Sequence, residues 1–337
     1  MAEKTPTQLI DSFDRRIEYV RLSVTDRCDF RCTYCMAEEM TFLPRSKVLS
    51  LEEIARIAGV FVQLGVAKLR VTGGEPLVRR DVTTLFQQLG ALLDNKGLKE
   101  LAVTTNGSQL VRFAPALRAA GVSTLNISLD TLNPDRFRAL TRTGTLAHVI
   151  AGIDAALEQN FPRIRLNAVV LRGNNEDDIL PLLDFALNRG LDIAFIEEMP
   201  LGQVNMAGKP LEFLPSDTIL SGVEQHYNLE SEGAPDHSGP ARYWRVDGSS
   251  TRMGLISPHS NNFCGSCNRL RVTAEGQLLL CLGNEHSISL RDLLRDGASD
   301  IELSNAIVTA LNDKPKQHVF DQPDQPQIMR FMNASGG

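Results

Sequence analysis

Two groups of three cysteines mark this chain. CDFRCTYC places Cys28, Cys32 and Cys35 within eight residues, and Cys264, Cys267 and Cys281 lie near the other end. Thiolates are soft ligands, and close groups of them hold zinc or iron–sulfur centres. Three per group is one fewer than a structural zinc takes, so a zinc site would borrow a histidine such as His259 or His286. A [4Fe–4S] cubane on three cysteines leaves one iron open to an exogenous ligand. A structural cluster has no use for that position; a catalytic one does. Disulfides are the third reading, with about 15 pairings for six cysteines. They suit small secreted domains, and the division into two complete triads speaks against them.

The first triad follows the candidate strand YVRLSV (19–24), at its C-terminal end. That is the face on which α/β sheets and barrels carry their active sites. Further strand-like runs are KLRVTG (68–73), LAVTTN (101–106), TLNISL (124–129), IRLNAVVL (164–171) and IAFIEEM (193–199). Between them lie stretches with apolar residues at helical spacing, such as SLEEIARIAGVFVQLG, DVTTLFQQLGALL and LAHVIAGIDAALEQN. Ser50 and Glu53 form a capping-box pair for the first of these. Six strand–helix alternations predict parallel βα units, two short of a closed eight-unit barrel. Periodicity leaves an incomplete barrel and an open sheet both standing.

After about residue 200 the pattern changes. GQVNMAGKP and SEGAPDHSGP read as loops. TRMGLISP, LRVTAEG and QLLLCL read as short strands with a tight turn at Glu275 and Gly276, and a last amphipathic helix is expected near 302–312.

The chain has 337 residues, 42% hydrophobic and 23% charged, with a net charge of -6. This composition fits a globular protein with a sizeable core, and no global positive field recruits nucleic acid or anionic membrane. No run approaches the ~18 apolar residues of a membrane span. No signal-like segment opens the chain, so a cytoplasmic location is expected.

CDFRCTYC, with Tyr34 before its last cysteine, resembles the signature of radical S-adenosylmethionine enzymes. In that family three cysteines hold a [4Fe–4S] cluster and S-adenosylmethionine chelates its fourth iron. One-electron reduction then releases a 5′-deoxyadenosyl radical. The segment Gly73, Gly74, Glu75, Pro76 resembles the family's GGEP motif, which receives the methionyl amino group. Its chemical sense is that glycines allow close backbone approach and Glu75 meets a cation.

The resemblance extends along nearly the whole chain. RLSVTDRCDFRCTYCM, RVTGGEPLVRRD, VTTNG, NISLDTL, FCGSCNRLRVTAEGQLLLCL and the terminal Gly336 and Gly337 are similar to the GTP 3′,8-cyclase family of molybdenum cofactor (molybdopterin) biosynthesis. This implies an incomplete (β/α)6 TIM-type barrel in residues 1–245 and a C-terminal region, 246–337, that closes the barrel mouth and carries a second [4Fe–4S] cluster. The implied reaction is that of a lyase: the radical abstracts the 3′ hydrogen of GTP, and cyclisation onto guanine C8 gives (8S)-3′,8-cyclo-7,8-dihydroguanosine 5′-triphosphate. Implied partners are a reducing electron donor and a downstream cyclic pyranopterin monophosphate synthase; a homodimer is allowed for.

Carried over by motif, Cys28, Cys32 and Cys35 hold the first cluster and Cys264, Cys267 and Cys281 the second. Tyr34, Gly74, Glu75, Ser128 and Met199 match positions around S-adenosylmethionine. Arg21, Arg70, Thr104, Arg165, Arg269, Leu270 and Arg271 match positions that contact GTP. Independently of family, arginines on several elements suit a triphosphate through their fork geometry. Asp130 reads as a cap for the next helix. Two positions depart from the family pattern: Arg165 stands where lysine is usual, and Ala194 where arginine is usual. One GTP contact is therefore expected to be missing. The alternatives are another radical S-adenosylmethionine enzyme with an auxiliary cluster, such as a peptide-modifying one, a divergent paralogue with weakened GTP binding, and a zinc- or cluster-stabilised binding module without catalysis.

Overall fold

A computed structural model describes residues 8–93, 97–199, 201, 213–233, 239–318, 320 and 330–336. GQVNMAGKP, the middle of SEGAPDHSGP and Gly337 lie outside the described residues.

The βα alternation runs as β1 (Tyr19–Ser23), α1 (Leu51–Gln63), β2 (Lys68–Thr72), α2 (Val82–Gly90), β3 (Glu100–Thr105), α3 (Leu110–Ala119), β4 (Thr124–Ser128), α4 (Pro134–Thr141), α5 (Leu146–Glu158), β5 (Arg163–Val170), α6 (Ile179–Arg189) and β6 (Asp192–Glu197). The expected capping box is present on α1: Ser50 Oγ accepts from the Glu53 amide, and Glu53 returns the bond to the Ser50 amide. Then follow α7 (Ser216–Glu224), β7 (Leu229–Glu232), β8 (Arg242–Val246), β9 (Arg252–Ile256), β10 (Arg269–Val272), β11 (Gln277–Leu279), β12 (Ser287–Ser289), α8 (Leu290–Arg295), α9 (Asp300–Ala310) and α10 (Met332–Ser335).

The strand order is β12-β11-β10-β1-β2-β3-β4-β5-β6-β9-β8-β7. The C-terminal region does more than cover a six-stranded half barrel. It contributes β9, parallel to β6 at one edge, and β10, parallel to β1 at the other. Eight parallel strands result, flanked by antiparallel β8–β7 and β11–β12. A cut between residues 245 and 246 would fall inside β8, and that strand belongs to the same continuous sheet.

Side chains alternate between faces along a strand. One face of the parallel strands is aliphatic: Val20, Leu22, Leu69, Val71, Leu101, Val103, Leu125, Ile127, Leu166, Leu270 and Val272 are buried in the main core with the apolar stripes of α1, α2, α3 and α5. The opposite face carries Tyr19, Arg21, Lys68, Arg70, Thr104, Asn126, Arg163, Arg165, Arg269 and Arg271, which line a cavity. A packed eight-stranded barrel fills its interior with branched apolar side chains; here that face is polar.

Candidate active site

All six cysteines border this one cavity, Cys28, Cys32 and Cys35 from the loop after β1, and Cys264, Cys267 and Cys281 from segments flanking β10 and β11. None is in a disulfide.

The first triad's loop is tied down on several sides. Amides of Arg31 and Thr33 donate to the carbonyls of Thr141 and Leu140 at the end of α4, both at 2.9 Å. Asp29, next to Cys28, accepts from Asn106 Nδ2 and Ser108 Oγ at 2.6 Å each. Burial pushes the Cys35 thiol up to about 12 and the Cys28 and Cys32 thiols higher, with neighbouring negative charge adding to it. Burial and neighbouring negative groups lead the influences on these thiols, so the donor set suits a group that brings its own positive charge, as iron does.

The second triad differs. Burial raises Cys264 and Cys281, but at Cys267 Arg269 and Lys314 outweigh burial and bring the thiol down to about 7. Among the described residues no three His, Cys, Asp or Glu side chains converge on a point that suits a single metal ion. A cubane, with one thiolate at each of three irons, does not require such convergence. Arg15 braces this end: its guanidinium binds Asp11 at 2.6 Å and donates to the carbonyls of Cys264, Pro315 and Lys316 at 2.8–2.9 Å.

Tyr34, Gly74, Ser128 and Met199 border the cavity beside the first triad. Tyr34 Oη donates to Asp130 Oδ2 at 2.7 Å, and Asp130 Oδ1 accepts from the Val169 amide at 2.9 Å. Asp130 is therefore not a helix cap; Asn133 caps α4. Burial raises its carboxyl to about 6. Gly73 and Gly74 allow a close approach, and its partner is the chain leading into Cys28. A Cβ on Gly74 would lie 2.5 Å from the Arg27 carbonyl oxygen. Glu75 does not border the cavity. It is fully buried, and its carboxylate accepts from the Leu77 and Asn106 amides and from Thr105 Oγ1. Within the chain this carboxylate is a cross-brace between the loops after β2 and β3.

The basic layer is set by register. Arg21 lies opposite Arg271 on one side and Arg70 on the other, so three adjacent strands carry arginine at one level. Tyr19 lies between Arg269 and Lys68 one level away. Seven lining cations, Arg21, Lys68, Arg70, Arg163, Arg165, Arg269 and Arg271, share the cavity. Two of them pair with carboxylates, Lys68 with Glu100 at 2.8 Å and Arg163 with Asp192 at 2.9 Å. Arg70 Nε is buried without a hydrogen-bond partner among the described residues. Thr104 Oγ1 is 3.4 Å from Arg70 Nη1. Such a surplus of buried positive charge is costly unless a polyanion enters it. Leu270 borders the cavity, but its side chain is in the aliphatic core, on the face opposite Arg269 and Arg271.

Ala194 is fully buried and packs with Ala241, Tyr243 and Ile256. Register places Asn167, Ala194, Gly254 and Tyr243 side by side on β5, β6, β9 and β8. The two smallest side chains sit in the middle, and the Tyr243 hydroxyl reaches past them to Arg165 Nη1 at 2.6 Å. The Tyr243 ring has the guanidinium carbons of Arg163 and Arg252 5.4 and 5.5 Å from its centroid. At this position the chain has a tyrosine held among arginines. Lys68, Tyr19, Arg163 and Tyr243 were not singled out by motif. The i, i+2 spacing of Lys68 to Arg70 and Arg163 to Arg165 is the signal that finds the two cations.

The tail also reaches this site. Arg271 Nη1 donates to the Gly336 carbonyl, and Asn333 Nδ2 to the Asp26 carbonyl at 2.9 Å. A Cβ on Gly336 would lie 2.6 Å from Thr72 Cγ2, so only glycine fits against β2 there.

Comparison with known proteins agrees with this geometry. Residues 22–186 match the Radical SAM superfamily and residues 191–320 the Molybdenum Cofactor Synthesis C family. The crystal structure of Streptococcus suis SuiB shares the fold, with a TM-score of 0.63 at 15% identity over 95% of this chain and 77% of SuiB. With its cysteine triad at the mouth of a partial parallel barrel, the chain is a radical S-adenosylmethionine enzyme. It is 55% identical to the GTP 3′,8-cyclase of Pseudomonas entomophila, over 99% of this chain and 100% of that one. It is 57% identical to GTP 3′,8-cyclase 1 of Pseudomonas aeruginosa, over 98% and 100%, and 53% identical to the enzyme of Marinobacter nauticus, over 98% and 99%. The chain belongs to the GTP 3′,8-cyclase family.

Proposed function

We propose that the cavity is the chamber in which GTP is closed on itself between C3′ and C8, as a step of molybdenum cofactor biosynthesis. The observation that carries this is the meeting of two incomplete thiol triads and one basic layer in a single cavity. Cys28, Cys32 and Cys35 would hold a four-iron cluster, which together with S-adenosylmethionine would supply one-electron radical chemistry at that end.

The chain's own residues do the rest. Tyr34, Gly74, Ser128 and Met199 shape the wall around the cofactor, with Asp130 holding Tyr34 in place. Arg21, Arg70, Arg165, Arg269 and Arg271 bind the triphosphate, with Lys68, Thr104 and Arg163 beside them. Cys264, Cys267 and Cys281 would hold a second four-iron cluster at the border of the same cavity. Residues 246–337 thus act as the carrier of the second cluster. Six unpaired thiols suit a reducing cytoplasm. The electron comes from a low-potential donor, and the product passes to a cyclic pyranopterin monophosphate synthase.

Anaerobically reconstituted protein should hold about eight irons, cleave S-adenosylmethionine when reduced, and consume GTP. Cys264→Ala should keep the first cluster and lose cyclisation. Full GTP turnover in that variant would make the second triad merely structural. Cofactor cleavage without GTP consumption in the intact protein would favour a divergent paralogue.

A further inference from the structure

The segment that follows α9 crosses the second triad. Lys314 is 2% exposed, and its Nζ donates to the Leu280 carbonyl at 2.5 Å, the Arg269 carbonyl at 3.2 Å and Cys267 Sγ at 3.6 Å. Four residues on, the His318 amide donates to Cys264 Sγ at 3.4 Å. Two of the three thiols thus meet N–H donors from one short stretch, and Lys314 alone in that stretch brings a buried charge to a ligand. No carboxylate pairs with it among the described residues.

Resting on the reading of this triad as a cluster ligand set, we infer that Lys314 is a positioning residue that sets the reduction potential of the second cluster. Each electron added to a cluster adds a negative charge. A buried ammonium on Cys267 stabilises the reduced state more than the oxidised one, in surroundings where water screens little. Hydrogen bonds to cluster sulfurs, net charge and burial are the levers that set such potentials. The competing role is structural, with the ammonium only satisfying two strand carbonyls. Glutamine separates the two, because its amide can donate to both carbonyls without carrying charge.

The test uses the full-length chain with Cys28, Cys32 and Cys35 replaced by alanine, so that only the second triad gives a signal. Midpoint potentials are read by electron paramagnetic resonance after anaerobic reconstitution. Lys314→Gln should keep its iron and, at the potential where the parent is half reduced, show a reduced-to-oxidised ratio about tenfold lower, ~59 mV for one electron. Lys314→Arg, which keeps the charge, should stay near the parent. An unchanged midpoint in the glutamine variant overturns the inference. So does loss of iron from glutamine with retention by arginine, which would assign Lys314 to assembly. A parent that takes up no iron at this triad would instead sink the second-cluster reading itself.

Discussion

Arg165 Nη1 donates to Tyr243 Oη at 2.6 Å, joining the fifth barrel strand to a C-terminal strand three places along the sheet. The bond exists because Ala194 and Gly254 leave room for the tyrosine to reach across them. A hydrogen bond to a charged group contributes about 1.5–3 kcal/mol. Tyr243→Phe should therefore raise the KM for GTP roughly tenfold, with a smaller effect on kcat, in steady-state assays at saturating S-adenosylmethionine. An unchanged KM would show that Arg165 does not depend on this bond to meet the substrate.

The same packing predicts the outcome of placing an arginine at position 194. Ala194→Arg inserts a long cation into a fully buried position beside Tyr243, Ala241 and Ile256. Overpacking alone costs about 1–3 kcal/mol, so the melting temperature should fall. Ala194→Arg combined with Tyr243→Ala should recover part of the loss. Equal melting temperatures for the wild type and Ala194→Arg would show that the tyrosine yields its place freely.

Tyr19 gives the cavity a pH response. Burial by itself raises its phenol, but Arg70, Arg21, Lys68 and Arg269 outweigh this and bring it down to about 8. The unfolded value is about 10. A folded value below the unfolded one adds stability that is complete above about pH 10 and lost as pH falls through about 8. The melting-temperature advantage of the ligand-free wild type over Tyr19→Phe should hence widen from pH 8 to pH 10. GTP affinity should fall over the same range in the wild type, since the phenolate competes with phosphate for the arginines, and should fall less in Tyr19→Phe. Parallel pH profiles for the two proteins would remove Tyr19 from the account.

Arg15 and Asp11 form a buried pair, 7% and 5% exposed, that also serves three carbonyls around the second triad. Removing one partner of a buried pair costs about 3–5 kcal/mol because the other charge is left uncompensated. Arg15→Met should lower stability by about that much and release iron from the second triad before the first, measured by denaturant titration and by iron content during dialysis against a chelator. Simultaneous loss from both triads would show that the bracing is global.

The local pattern of residues carries much of this protein. Cysteine spacing, the strand–helix alternation, the Ser50 capping box and the glycines of GGEP are all legible within a few residues, because ligand geometry, backbone periodicity and close approach are short-range constraints. The polar i, i+2 faces of KLRVT and RIRLN were legible as well, although motif reading picked only one cation from each. Tertiary structure decided the rest. Only strand register puts Arg271, Arg21 and Arg70 at one level, and only the crossover past Cys264 sends β9 and β10 to opposite edges of the sheet. Glu75 becomes a cross-brace because three donors from two loops surround it. Asp130 turns from cap to anchor because Tyr34 reaches it from the triad. Arg15 and Lys314, hundreds of residues apart in the chain, brace one triad. Which charges share a cavity depends on contacts between distant segments, and no local pattern of residue types encodes that distance.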